Sequence, residues 1–157
     1  MIQHLVMDVD GTLTDGKIYM GESGELCKAF DIKDGCGIAV LLPKAGITPV
    51  IITGRKSRIL ENRCQELKIR HLYQGIGDKV ACLNEILGLE ADYSSVAYIG
   101  DDINDLACME LIRANGGVIG CPADAVQLVR DVADFVSTRA GGDGAVREFI
   151  EWICNRQ

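Results

Sequence analysis

The sequence has no surplus of basic residues: 16 Lys and Arg stand against 23 Asp and Glu, for a formal net charge of −7 and a pI near 4.8. A general binder of nucleic acid or of an anionic membrane needs a basic face, so neither class fits. Any anionic ligand must be held by a local group of cations, backbone amides or metal. Long apolar runs are missing as well. None approaches the ~18 residues of a membrane span, and no basic segment leading into an apolar one precedes the first strand. Among the seven cysteines (Cys27, Cys36, Cys64, Cys82, Cys108, Cys121 and Cys154) there is no Cys-x-x-Cys pair and no Cys/His cluster, which argues against a zinc site. Their odd number and their place in apolar runs fit reduced, packed thiols, and the expectation is a cytoplasmic protein. Internal repeats, low-complexity tracts and long linkers are also absent.

What is present is enough apolar residue, 48 % of 157, for one folded domain spanning 1–157. Ile2 to Val9 reads as a buried strand stopped by Asp10-Gly11. Lys17–Met20 and Leu26–Phe30 flank Gly21-Glu22-Ser23-Gly24, which predicts a β-hairpin with a four- or five-residue turn. Helices are predicted from Ile38 to Leu42 (ended by Pro43), Ser57 to Leu67, Lys79 to Leu87, Asn104 to Ile112, Ala125 to Val129 and Gly144 to Cys154. Strands are predicted at 48–52, 71–73, 96–99, 117–119 and 135–136. Strand and helix alternate throughout, which specifies an α/β fold with a three-layer, doubly wound parallel sheet.

The strand ends carry the chemistry. Asp8-Val9-Asp10-Gly11-Thr12 closes the first strand, where ligands bind in open α/β sheets. Two carboxylates there can bind Mg²⁺ or divide the roles of nucleophile and general acid/base; alone, they fit an Asp-Gly turn about as well. The next catalytic strand ends in Thr53-Gly54, a hydroxyl and an unhindered amide suited to a phosphate oxygen. Lys79 opens a helix, the wrong end for the helix dipole, and reads either as a surface lysine or as a cation turned into the site. A later strand ends in Gly100-Asp101-Asp102-Ile103-Asn104-Asp105. An acidic helix cap explains Asp102 and Asp105 but not Asp101, whereas a hard cation explains the crowding. Acid, hydroxyl, lysine and acid at four ends in order favour function over coincidence. His4 and His71 follow no such end and read as structural.

These motifs resemble those of the haloacid dehalogenase (HAD) superfamily of phosphotransferases, over nearly the whole chain. The resemblance implies a Mg²⁺-dependent phosphatase with Asp8 as nucleophile and Asp10 as acid/base. Mg²⁺ would sit on Asp8, the Asp10 carbonyl and Asp101, with phosphate oxygens on Thr53, Gly54 and Lys79. Only about 40 residues separate Asp10 from Thr53 and 25 separate Thr53 from Lys79, so neither gap holds a cap domain beyond the protruding hairpin. This capless layout, with Phe30-Asp31-Ile32-Lys33-Asp34-Gly35, His71–Gly75 and Gly141–Glu148, is similar to the 3-deoxy-D-manno-octulosonate (KDO) 8-phosphate phosphatase family. That implies a homotetramer assembled through hairpins, with a neighbouring subunit over each active site. It also implies a sugar acid phosphate as substrate, reached by Asp10, Asp31, Lys33, Asp34, Gly35, Arg55, Arg63 and Arg147, with Asp102, Asn104 and Asp105 in support.

Arg55 follows Thr53-Gly54, and Arg63, eight residues on, would share its helix face. A guanidinium fork suits the carboxylate of a keto acid; solvated arginines paired with Glu61 or Glu66 are the plainer reading. Some relatives acting on nine-carbon nonulosonate 9-phosphates carry an acid where Arg55 stands, so Arg55 favours the octulosonate. Ala39 pulls the other way, because octulosonate phosphatases commonly have Lys or Arg there. A receiver domain would not need Asp10, and a degenerate oligomerisation module would not retain all of Asp8, Asp10, Thr53, Lys79 and Asp101.

Overall fold

The computed structural model describes residues 1–89 and 91–156. Its strands are β1 (His4–Met7), the hairpin pair β2 (Tyr19–Gly21) and β3 (Gly24–Cys27), β4 (Thr48–Thr53), β5 (His71–Gln74), β6 (Val96–Ile99), β7 (Val118–Cys121) and β8 (Phe135–Val136). Six of them form one parallel sheet in the order β5-β4-β1-β6-β7-β8. The helices are α1 (Ile32–Cys36), a π-helical turn Gly37–Leu41 running into α2 (Leu42–Lys44), α3 (Arg58–Glu66), α4 (Lys79–Leu87), α5 (Ile103–Ala114), α6 (Gln127–Val132) and α7 (Ala145–Cys154).

Three layers follow from the two-residue period of the strands. Leu5, Met7, Ile51, Ala97 and Ile99 point to one face, where they meet Ile38 of the π-helical turn and Leu42, Leu60, Phe149, Ile150 and Ile153 of α2, α3 and α7. Val6, Val50, Ile52, Val96 and Tyr98 point to the other, against Leu83, Met109, Ile112 and Val129 of α4–α6. Both faces are covered, so the strands read as continuous apolar runs. All seven cysteines are free. Cys64, Cys82, Cys108 and Cys121 are buried in these cores, while Cys27 and Cys36 are exposed. Burial pushes the thiols of Cys64 and Cys121 up to about 11 and that of Cys108 to about 12, which makes them inert at neutral pH.

Three local expectations change. The helix predicted to run from Ile38 to Pro43 begins at Ile32, capped by the Asp31 carboxylate, which accepts from the amides of Lys33 and Asp34. It also passes through Pro43. The π-helical turn, in which the Leu42 amide reaches back to the Gly37 carbonyl, widens the helix where the proline ring would otherwise meet the carbonyl four residues earlier. The hairpin turn is shorter than expected: Gly21 pairs with Gly24, leaving only Glu22-Ser23 between them. Helix α6 begins two residues later than the predicted 125–129 and ends three residues later.

Strand β1 lies between β4 and β6, so the chain leaves the C-terminal ends of these three strands around one crevice. Asp8, Thr53 and Asp101 all sit on that rim. The hairpin projects beside it, anchored by the bridge between Thr14 and Phe30.

Candidate active site

Asp8 continues β1, its amide donating to the Ile99 carbonyl of β6 at 3.0 Å. Its carboxylate is buried, 5 % exposed, and accepts from Lys79 Nζ at 2.7 Å. Lys79 stands at the first position of α4, capped by Asp78, and turns inward: its side chain is 4 % exposed, and its second bond, also 2.7 Å, goes to Asp105. The cation at the unfavourable end of a helix is therefore held by two buried carboxylates.

Asp105 is fully buried and has no oxygen to spare. Oδ1 accepts from Lys79 and from the Tyr98 hydroxyl at 2.7 Å; Oδ2 accepts from the amides of Asp101 and Asp102 at 3.1 and 3.3 Å. With Asp102 it forms the capping box of α5. Asp105 thus orients Lys79 and the loop carrying Asp101, which separates the cap residues from Asp101 as the sequence suggested. Asp101 accepts from the Thr12 hydroxyl at 3.0 Å.

Electrostatics asks for another cation here. Burial first, then the Asp105 charge, push the Asp8 carboxyl up to about 6 against the pull of Lys79. Burial, then the Asp8 and Asp105 carboxylates, push Asp101 up to about 8. Burial alone would lower Lys79, but the two carboxylates raise it overall. Three acids share one ammonium, and one oxygen from each of Asp8, Asp101 and Asp105 lies within 4.8 Å of the others. Because Asp105 is spent on four hydrogen bonds, Asp8 and Asp101 are the carboxylates able to hold a metal. Oxygen donors of this kind fit Mg²⁺. Gly11 makes the approach possible: with φ at +95°, a Cβ there would lie 2.0 Å from an Asp101 oxygen.

Asp8, Asp10, Thr53, Gly54, Arg55 and Asn104 line one open pocket, together with Asp102 and Ile103. Among the described residues, Arg55 keeps a buried Nη1 without a hydrogen-bond partner. The sequence reading missed the group beside it. Lys28, just after β3, donates to Asp10 Oδ1 at 2.6 Å and lies 2.9 Å from Glu25, which in turn pairs with Arg55 at 3.6 Å. A lysine and a glutamate on an exposed-looking hairpin carry no motif, so only packing reveals them.

Other expected substrate residues gather elsewhere in this chain. Arg55 lies in the loop before α3, because Ser57 is an extended N-cap (φ −148°). The helical spacing to Arg63 therefore does not apply, and the two arginines share no face. Arg63 binds Glu66 at 2.8 Å, covers the Phe30 ring and borders a small cavity with Asp31, Asp34 and Gly35. Asp34 is 1 % exposed; Oδ1 accepts from the Arg147 amide at 2.7 Å, while Oδ2 is unpartnered. The Arg147 side chain binds Glu151 at 2.6 Å and reaches the Lys33 carbonyl at 3.4 Å. These six residues join α1, α3 and α7 outside the Asp8 pocket.

The glycines before α7 also find a place. The Gly142 amide donates to the Thr12 carbonyl at 3.1 Å, and a Cβ at Gly141 would fall 1.9 Å from the Gly11 carbonyl oxygen. The expected close backbone approach thus buttresses the Asp10–Thr14 loop.

No family model matches the chain. Whole-chain comparisons do. The chain is 46 % identical over 153 residues to the 3-deoxy-D-manno-octulosonate 8-phosphate phosphatase KdsC of Escherichia coli K12, covering 97 % of this chain and 79 % of that one. A crystal structure of the same phosphatase from Moraxella catarrhalis, in complex with magnesium ion, phosphate ion and KDO, superposes with a TM-score of 0.90 at 39 % identity, covering 99 % and 87 % of the two chains. A HAD subfamily IIIA hydrolase structure from Legionella pneumophila gives 0.87 at 38 % identity, covering 99 % and 84 %. Identity at that level along the whole fold, with the strand-end motifs in place, means that the chain belongs to the capless KDO 8-phosphate phosphatase family of the HAD superfamily.

Proposed function

We propose that this chain is a Mg²⁺-dependent phosphatase that hydrolyses KDO 8-phosphate through a phosphorylated Asp8. The observation that carries the reading is the meeting of Asp8, Lys79 and Asp101 at adjoining strand ends, beside Asp10 and Thr53. The Asp8 carboxylate attacks phosphorus while the bond to the sugar oxygen breaks, and Asp10 gives that oxygen a proton. Asp10 then takes a proton from a water that attacks the phosphorus of the aspartyl-phosphate, releasing inorganic phosphate and restoring Asp8. Thr53, the Gly54 amide and Lys79 hold the non-bridging oxygens. Mg²⁺ held by Asp8, Asp101 and the Asp10 carbonyl supplies neutralisation of the charge between nucleophile and phosphate. Asp105 fixes Lys79, and Asp102 and Asn104 shape the rim.

Arg55 reads the substrate carboxylate; its unpartnered buried Nη1 supports this role. The chain works as one domain in the cytoplasm and assembles as a homotetramer through its hairpin, whose Ile18, Met20 and Leu26 are exposed. Among the described residues no helix is long and apolar enough to cross a membrane. Asp31, Lys33 and Arg147 lie outside this chain's own pocket, with Asp34, Gly35 and Arg63 packed beside them, so they would reach substrate only at a neighbouring subunit's site.

A second reading, a nonulosonate 9-phosphate as substrate, has Ala39 in its favour: this exposed position bears no charge. Phosphate release with Mg²⁺ from KDO 8-phosphate, nonulosonate 9-phosphates and hexose phosphates separates the two. A kcat/KM highest for KDO 8-phosphate is expected; a preference for the nine-carbon acids would transfer the assignment to the second reading.

A further inference from the structure

The hairpin does more at the site than stand beside it. Lys28 is the one cation in contact with Asp10 among the described residues, and its side chain is 4 % exposed, as buried as that of Lys79. Its ammonium is held between Asp10 Oδ1 at 2.6 Å and Glu25 Oε1 at 2.9 Å. The other Glu25 oxygen accepts from the Ser57 hydroxyl, which also caps α3 through the Leu60 amide. The Ser57 amide donates to the Gln74 side chain at 2.8 Å, so this end of the chain of contacts is fixed to β5. Asp10 itself lies in a loop and is 19 % exposed in its side chain. Among the described residues no other group holds its carboxylate, and one of its oxygens remains open to the pocket.

We propose that Lys28, seated by Glu25 and Ser57, is a positioning residue that locks the Asp10 carboxyl with one oxygen anchored and the other presented to the leaving oxygen of the substrate. The proposal rests on the assignment of Asp10 as general acid. It differs from a hairpin pin in what it controls. A pin would support every substrate alike, whereas a residue that aims a general acid matters in proportion to how much the leaving group needs a proton. A sugar alkoxide needs one; a nitrophenolate leaves without it. Misplacement of a catalytic group by about 1 Å costs on the order of 10²-fold.

The test compares kcat/KM for KDO 8-phosphate and for p-nitrophenyl phosphate in wild type, Lys28→Met, Lys28→Arg, Glu25→Gln and Asp10→Asn. For Lys28→Met a loss of about 100-fold is expected on the sugar phosphate and less than about 5-fold on the aryl ester, with Lys28→Arg recovering part of it. Glu25→Gln, which keeps one acceptor oxygen, turns the other into an NH2 donor and removes the charge, should show the same selectivity in milder form. Equal losses on both substrates, or none on either, overturn the proposal. Asp10→Asn serves as the reference. If it shows the alkyl-selective loss and the Lys28 variants do not, the proposal fails while the mechanism stands; if Asp10→Asn shows no selectivity, the acid assignment itself fails. Should Lys28→Met not fold, Lys28→Arg and Glu25→Gln carry the comparison.

Discussion

Replacing Asp34 by asparagine should stabilise the protein at neutral pH and leave its chemistry nearly untouched. Asp34 is 1 % exposed, and burial pushes its carboxyl from 3.8 up to about 6, against the pull of the Arg147 amide. At ~1.4 kcal/mol for each tenfold change in proton affinity, that difference corresponds to at most about 3 kcal/mol. Because the folded state holds this proton more tightly than the unfolded chain, the contribution of Asp34 to stability is greatest below pH 3.8 and is lost as pH rises through about 6. Asparagine is neutral throughout. Its Oδ1 can accept from the Arg147 amide, and its amide nitrogen takes the place of the unpartnered oxygen. Wild type and Asp34→Asn should therefore have similar stability near pH 4 and diverge above it, the variant gaining up to about 3 kcal/mol by pH 7. Urea unfolding from pH 4 to 7.5 measures this, at one protein concentration because any self-association would add to apparent stability. A difference that does not change with pH, or a wild type more stable at pH 7, would falsify the account of a strained buried carboxyl. A KM for KDO 8-phosphate raised tenfold or more, with stability unchanged, would return Asp34 to the substrate.

Saturating Mg²⁺ should raise the melting temperature of wild type, a stabilisation of roughly 2.7 kcal/mol at a hundredfold excess over Kd. Asp101→Asn should melt higher than wild type without metal and lose most of that response. Lys79→Met leaves Asp8 and Asp105 buried without their cation, so chemical denaturation should show a loss of about 3–5 kcal/mol, and phosphate release should fall by ~10³-fold or more. If Lys79→Met proves as stable as wild type, the buried ion-pair description is wrong. Arg55→Ala should raise KM for KDO 8-phosphate by about 10- to 100-fold, the range of a charged hydrogen bond, and barely change KM for an aryl phosphate. Equal effects on both substrates would remove Arg55 from carboxylate recognition.

The order of elements and the residues that meet at the candidate site were legible along the chain because each depends on neighbours in sequence. Apolar runs of four to six residues ending in Asp8, Thr53 and Asp101 mark parallel strands with their chemistry at one edge, and the position of Lys79 at a helix start marks it as unusual. Cap residues Asp102 and Asp105 could be told from Asp101 by spacing alone. Other features depend on what packs across the fold. The helix predicted to stop at Pro43 runs through it because a π-helical turn, shaped by contact with α7, makes room for the ring. Arg55 and Arg63 look like partners by number, but the extended cap at Ser57 puts them on different surfaces. Asp34, expected at the substrate, is buried against the start of α7, 113 residues away in sequence. Lys28 and Glu25 reach Asp10 and Ser57 only because a short hairpin folds back on the rim. Residue type and spacing record which groups are present and on which element. Burial, and the charge that burial makes costly, are set by segments far apart in the chain, so the partners of Asp10, the brace at Asp34 and the need for a cation beside Asp8 arise only in the folded molecule.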